Sequence, residues 1–199
     1  MRYLRRGIDH EGNVANFVET ELIAYNPNKS FDDKPVFSSF VIVRGSIPLF
    51  WTQDPNPLNP KPDIMLLRSM DVKYLATKRH YSELFERYSF PLYCINLTKE
   101  KNTRECTVSD QYRYVINEVL NRDLPKNMRI KYIHFDMKVR KKEHSFPLPL
   151  HAIVKPFIKK MGFFSCTRKH MSDTMSHIEV QRGVIRTNCI DSLDRTNEA

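Results

Sequence analysis

Apolar positions along this chain repeat with two different spacings that take turns from one end to the other. Val36 to Val43 is rich in β-branched and aromatic residues and predicts a strand. Arg44-Gly45-Ser46 interrupts it, Ile47 to Trp51 resumes the apolar character, and the proline-laden run Asp54 to Pro62 predicts an extended surface loop. Ahead of these, the first thirty residues are polar and irregular, and Tyr25-Asn26-Pro27-Asn28 with Phe31-Asp32-Asp33 reads as a turn-rich exposed loop. Val72, Leu75, Ala76, Leu84, Phe85 and Tyr88 keep helical spacing and predict a helix over Ser69–Tyr88. A strand at Leu92–Leu97 follows. Thr107-Val108-Ser109-Asp110 reads as a capping box, and Val108, Tyr112, Val115, Ile116, Val119 and Leu120 form the stripe of a second helix ending near Asp123. Arg129–Phe135 predicts a strand. Leu150, Ile153, Val154, Phe157, Ile158 and Met161 mark a third helix, which Pro156 should kink or begin. Gly183 to Thr187 is a last strand, leading straight into Cys189.

Strands that alternate with helices in this way predict an α/β fold with a largely parallel sheet flanked by helices. Ligands of such sheets bind beyond the carboxyl ends of the strands, which is where the segment around Cys189 falls. No internal repeat or low-complexity tract is visible.

Composition narrows the classes. With 199 residues, 41% of them hydrophobic, the chain can bury a core and is not a disordered segment. Its 32 Lys+Arg against 23 Asp+Glu give a net charge of +9, which favours an anionic partner: nucleic acid, an anionic membrane or a phosphorylated small molecule. No nucleic-acid motif is present and the basic residues are dispersed, except for Lys138-Val139-Arg140-Lys141-Lys142. That cluster reads as a solvated loop, with anionic lipid as its functional alternative. The four cysteines contain no C-x-x-C pair and no signal-like apolar run follows the basic start, so a reducing, intracellular compartment is expected. No apolar run approaches the ~20 residues of a membrane span.

The segment Arg186 to Asn197 carries the chemistry. Cys189 and Arg195 are separated by five residues, and Thr196 follows at once. Five intervening residues let a loop curl so that its N–H groups converge on a phosphoryl group opposite a nucleophilic sulfur. The bare pattern arises by chance about one time in three in a chain with this many cysteines and arginines. A preceding strand and a polar loop interior raise its weight. In this reading Cys189 attacks phosphorus as a thiolate, its usual pKa of about 8.5 lowered by the loop amides and Arg195. Arg195 grips the equatorial oxygens. The loop residues Ile190, Ser192, Leu193, Asp194 and Thr196 line the phosphate, and Thr196 is placed to hydrogen-bond the sulfur. Asp191 and Asp194 are candidates to protonate the leaving oxygen or orient water, or else to cap the loop or pair with Arg186.

The run Arg186–Asn197 (RTNCIDSLDRTN) resembles the signature of the Sac-domain phosphoinositide phosphatases, and Arg2–Leu22 and Ser38–Gln53 resemble further stretches of that family in the same order. The resemblance implies a cytoplasmic, metal-independent enzyme without a cofactor, peripheral on the cytosolic face of an internal membrane. It would remove phosphate from phosphatidylinositol phosphates through a cysteinyl-phosphate intermediate. It implies Cys189 as nucleophile, Arg195 as the phosphate-binding arginine and Asp191 as the loop aspartate. Arg44 is a candidate for the lipid headgroup or, beside Gly45, a structural residue. Its expected partners are phosphoinositide lipids on a membrane surface and not nucleic acid.

Ser192 stands where the family has a second cysteine, and the family's domain is longer, so the chain is expected to be a catalytic fragment incomplete at both ends. Residues 1–62 would hold amino-terminal blocks and a loop, and 63–199 the α/β part ending in a phosphate loop. Four residues after Arg195 are too few for a stable helix. Two rival readings follow: a catalytically inactive Sac-like lipid-binding or scaffolding module, and a tyrosine phosphatase using the same chemistry, against which the absence of loop glycines argues.

Overall fold

The computed structural model describes residues 6–31, 34–53, 62–100, 104–142, 147–168, 175–190 and 192–199. Nine strands are present among them: β1 (Val18–Phe31), β2 (Lys34–Arg44), β3 (Trp51–Gln53), β4 (Ile64–Leu66), β5 (Leu92–Asn96), β6 (Lys131–His134), β7 (Phe164–Arg168), β8 (Met175–Glu179) and β9 (Val184–Asn188). Six helices accompany them: α1 (Leu75–Tyr88), α2 (Glu105–Tyr114), α3 (Asn121–Asp123), α4 (Met137–Lys142), α5 (Leu148–Met161) and α6 (Asp194–Glu198). A π-helical stretch, Val115–Leu120, joins α2 to α3.

The main sheet runs β6-β5-β9-β2-β7-β8, with β1 also paired to β2. Its heart, β6-β5-β9-β2, is parallel, while β1, β7 and β8 add antiparallel strands beyond. β3 and β4 form a separate two-stranded ribbon. Side chains alternate between sheet faces with a period of two, so β5 serves two cores. Leu92 and Cys94 pack with Tyr81, Leu84, Val108, Tyr112, Val115 and Ile116 of α1, α2 and the π-helical stretch. Tyr93 and Ile95 pack with Leu150, Phe157 and Met161 of α5 on the opposite face. Helices thus cover both faces, as parallel strands require. Gly183 sets β9 against β5: its φ is +85° and a Cβ there would lie 2.0 Å from the Pro91 carbonyl oxygen, so only glycine fits.

Several expectations are corrected. The region read as an irregular loop is β1, hydrogen-bonded to β2 from Val18↔Arg44 to Phe31↔Lys34 with a register shift between Asn26 and Ser30. An irregular edge strand of this kind tolerates the proline that argued for a loop. The first long helix starts at Leu75 and not at Ser69, because Tyr74 is left-handed (φ 54°) and the Asp71 carboxylate accepts the Leu75 and Ala76 N–H groups at 2.7 and 2.8 Å. The second begins at Glu105, ahead of the supposed box at Thr107. Pro156 sits inside α5. The basic cluster is the helix α4 and not a loop, and Arg195 lies within a single helical turn, α6, where no helix was expected. The proline-laden run up to Lys61 and Asp32-Asp33 lie outside the described residues.

Candidate active site

Cys189 follows β9, which lies between β5 and β2 in the parallel part of the sheet. The ladders continue past the strand ends: Leu97 N–H bonds Asn188 O at 2.8 Å, and Gly45 N–H bonds Thr187 O at 3.3 Å. The segments after β2, β5 and β9 therefore emerge side by side. This brings Arg44, Leu97 and Cys189 to one edge of the sheet.

Beneath that edge lies a buried polar network that sequence reasoning missed. Arg186 is fully buried, with 0% exposure. Its guanidinium donates to Ser46 O (2.6 Å), His80 Nε2 (3.1 Å), Tyr112 Oη (3.3 Å) and Asn188 Oδ1 (3.4 Å), and no carboxylate among the described residues pairs with it. One side chain thereby ties β9 to α1, to α2 and to the turn after β2. Such a buried cation is tolerated because every acceptor is aimed at it. Asn188 donates to Asn96 Oδ1 at 2.6 Å, and Asn96 donates to Tyr132 Oη at 2.8 Å and to Ser109. Burial, helped by the Arg186 charge, holds the His80 imidazole well below its ordinary pKa, so it is neutral and accepts from Arg186. Burial likewise pushes the Tyr81 and Tyr112 phenols and the Cys94 thiol up. The signal available in the sequence was an arginine directly after the apolar pair Val184-Ile185, in a strand buried on both faces.

The loop is held from two sides. Arg44 Nη1 donates to Ser192 O at 2.8 Å, so the candidate headgroup residue contacts the loop backbone. Ser192 is left-handed (φ 56°), a conformation that non-glycine residues rarely adopt. Its buried hydroxyl oxygen has no hydrogen-bond partner among the described residues. Arg195 sits in α6 and meets Glu105 with both ends of its guanidinium, Nη1 to Oε2 at 2.8 Å and Nη2 to Oε1 at 3.1 Å, while Nη1 also reaches Leu97 O at 3.1 Å.

Cys189 itself is fully buried and packs with Tyr93, Ile95, Leu97 and Phe135. Thr196 donates its hydroxyl to Leu193 O at 3.1 Å and not to the sulfur. Leu193 and Ile190 are half-buried, Asp194 is exposed at the start of α6, and Asp191 lies outside the described residues. The structure therefore gathers Cys189, Ser192, Arg195 and Arg44 about one loop and adds Glu105, which the sequence did not single out. Among the described residues no group of His, Cys, Asp and Glu side chains is gathered to hold a metal, and no helix is long and apolar enough to cross a membrane.

Comparison with known proteins places this architecture. The family model described as the SacI homology domain matches residues 1–142. Polyphosphoinositide phosphatase of Schizosaccharomyces pombe is 38% identical over 208 residues, covering 100% of the chain and 24% of that protein. Phosphoinositide phosphatase SAC4 of Arabidopsis thaliana is 34% identical, covering 100% of the chain and 29% of the relative. Phosphatidylinositol-3-phosphatase SAC1 of Saccharomyces cerevisiae is 35% identical, covering 98% and 30%. The chain thus spans between 24% and 30% of the length of these curated relatives. With the family model matched over residues 1–142, a parallel α/β core and the cysteine loop at its strand ends, the chain belongs to the SacI homology domain family.

Proposed function

We propose that this chain supplies the nucleophile loop of a phosphoinositide phosphatase that hydrolyses phosphate monoesters of phosphatidylinositol phosphates through a cysteinyl-phosphate intermediate. The observation that carries the reading is the loop at Cys189–Arg195 at the carboxyl end of a central parallel strand, in a chain whose curated relatives bear the name phosphoinositide phosphatase. In the first step the Cys189 thiolate bonds to phosphorus and the P–O bond to the inositol ring breaks. A proton from Asp191 or Asp194 goes to the leaving oxygen. In the second step water attacks phosphorus, the S–P bond breaks and inorganic phosphate departs. Arg195, turned onto the phosphate, neutralises charge on the equatorial oxygens in both steps. Thr196, freed from Leu193 O, is the donor to the departing sulfur.

The lipid reading draws on charge. The exposed basic helix α4 lies beside α6, the turn that carries Arg195, because Lys141 pairs with Glu198. A cationic face there suits an anionic bilayer surface, worth about 1 kcal/mol per basic side chain near it. Peripheral attachment on the cytosolic side of an internal membrane follows as part of the same proposal. The test is phosphate release from phosphatidylinositol phosphate vesicles, comparing wild type with Cys189→Ser. The proposal expects a loss of at least about a thousandfold. Vesicle binding without any release in either protein supports the inactive lipid-binding module instead.

A further inference from the structure

The carboxylate of Glu105 and a substrate phosphate require the same guanidinium. Glu105 is the first residue of α2, and it takes Arg195 in a two-pronged grip at 2.8 and 3.1 Å. Both side chains are largely buried, 13% and 22% exposed, which shelters the pair from solvent screening. The carboxylate is fixed in turn, since Oε2 also accepts the Lys99 N–H at 3.1 Å. Nη1 of Arg195 bonds the Leu97 carbonyl at 3.1 Å, and the Leu97 side chain packs in the apolar cluster that encloses the fully buried Cys189. One set of contacts therefore engages the arginine and covers the thiol.

We propose that Glu105 is a latch: it holds Arg195 in a resting orientation in which Cys189 is sealed, and a phosphate dianion opens the site by displacing the carboxylate from the guanidinium. This rests on the reading of the loop as a phosphate site. A dianion placed on Arg195 with Glu105 still in contact would face an uncompensated like charge in a sheltered site, so the two anions exclude one another. Once Arg195 turns to phosphate, its bond to Leu97 O breaks and the segment after β5 moves off the thiol. Glu105 acts through Arg195 and is a positioning residue.

The test uses the intact chain and the variants Glu105→Gln and Arg195→Ala, each breaking the latch from one side. Iodoacetamide modification of each cysteine is followed by peptide mass spectrometry. Partly exposed Cys106 serves as the rate reference, and buried Cys94 and Cys166 report unfolding. Both variants are expected to raise Cys189 modification about tenfold or more relative to Cys106, with Cys94 and Cys166 still unreactive. Tungstate, as a phosphate mimic, should protect Cys189 in wild type, at several-fold lower concentration in Glu105→Gln, and not in Arg195→Ala. Cys189 as slow in both variants as in wild type overturns the latch. So does reactivity of Cys94 and Cys166 in both variants, since the pair is then a structural strut. Equal tungstate protection of wild type and Glu105→Gln removes the latch and leaves the phosphate site standing. Protection of neither removes both.

Discussion

On one face of β9, Arg186 and Asn188 are buried among hydrogen-bonding side chains from α1, α2 and β5. On the other face, Ile185 and, beyond Thr187, Cys189 are buried among Tyr93, Ile95, Leu97 and Phe157. The polar face is directional: Nε and Nη2 of Arg186 each have one acceptor and Nη1 has two, so the stem of the loop is held at fixed height and register. The apolar face is not directional, and side chains there can slide without breaking a bond. A nucleophile seated on the sliding face of a strand anchored through its opposite face can be uncovered while its stem stays in place.

That contrast can be broken from either side. The largest stability effect is expected from Arg186→Met, which removes the cation and leaves Ser46 O, Tyr112 and Asn188 without their buried donor. A loss of about 3–5 kcal/mol is expected in urea unfolding. A loss below about 1 kcal/mol would mean that the polar face does not hold the stem. Phe157→Ala, which removes the ring stacked on Tyr93 at 4.0 Å, should cost about 3 kcal/mol. It should also speed alkylation of Cys189 while Cys94, on the polar face, stays protected. Equal acceleration of both thiols would show that the two faces yield together.

The smallest effect is a pH dependence. His80 has a folded pKa below its unfolded value of about 6.5, so the unfolded state binds the extra proton between those two values. Stability therefore falls as pH drops below about 6.5, by about 1 kcal/mol per pH unit from this residue. His80→Gln keeps an acceptor for Arg186 without the titration. Unfolding free energies at neutral and mildly acidic pH should show a shallower decline in that variant, and identical slopes would exclude His80 as the source.

Much of the sheet was legible in the sequence, because β2, β5, β6 and β9 are dense in β-branched and aromatic residues and the helices carry apolar stripes. β1, β7 and β8 were not. Their strand character comes from backbone pairing along the chain β1-β2-β7-β8, and local composition does not reveal it. The start of α1 was misplaced because a single carboxylate, Asp71, decides it. At the site, Cys189 and Arg195 were visible through their spacing. Glu105 and His80 were not, since they meet Arg195 and Arg186 across 90 and 106 residues of chain, and only folding brings such pairs together. The turn of Thr196 toward Leu193 was equally hidden, because a hydroxyl's choice of acceptor depends on the final backbone path.

The central claim is that Cys189 is the residue to which phosphate is transferred. Its most direct test is acid quenching of the protein during turnover of phosphatidylinositol phosphate vesicles, followed by mass spectrometry of the cysteine-containing peptides. Phosphate on the peptide carrying Cys189 in wild type, and none there with no released phosphate in Cys189→Ser, is the predicted result. Phosphate release that persists in Cys189→Ser, or covalent phosphate on another residue, would contradict it.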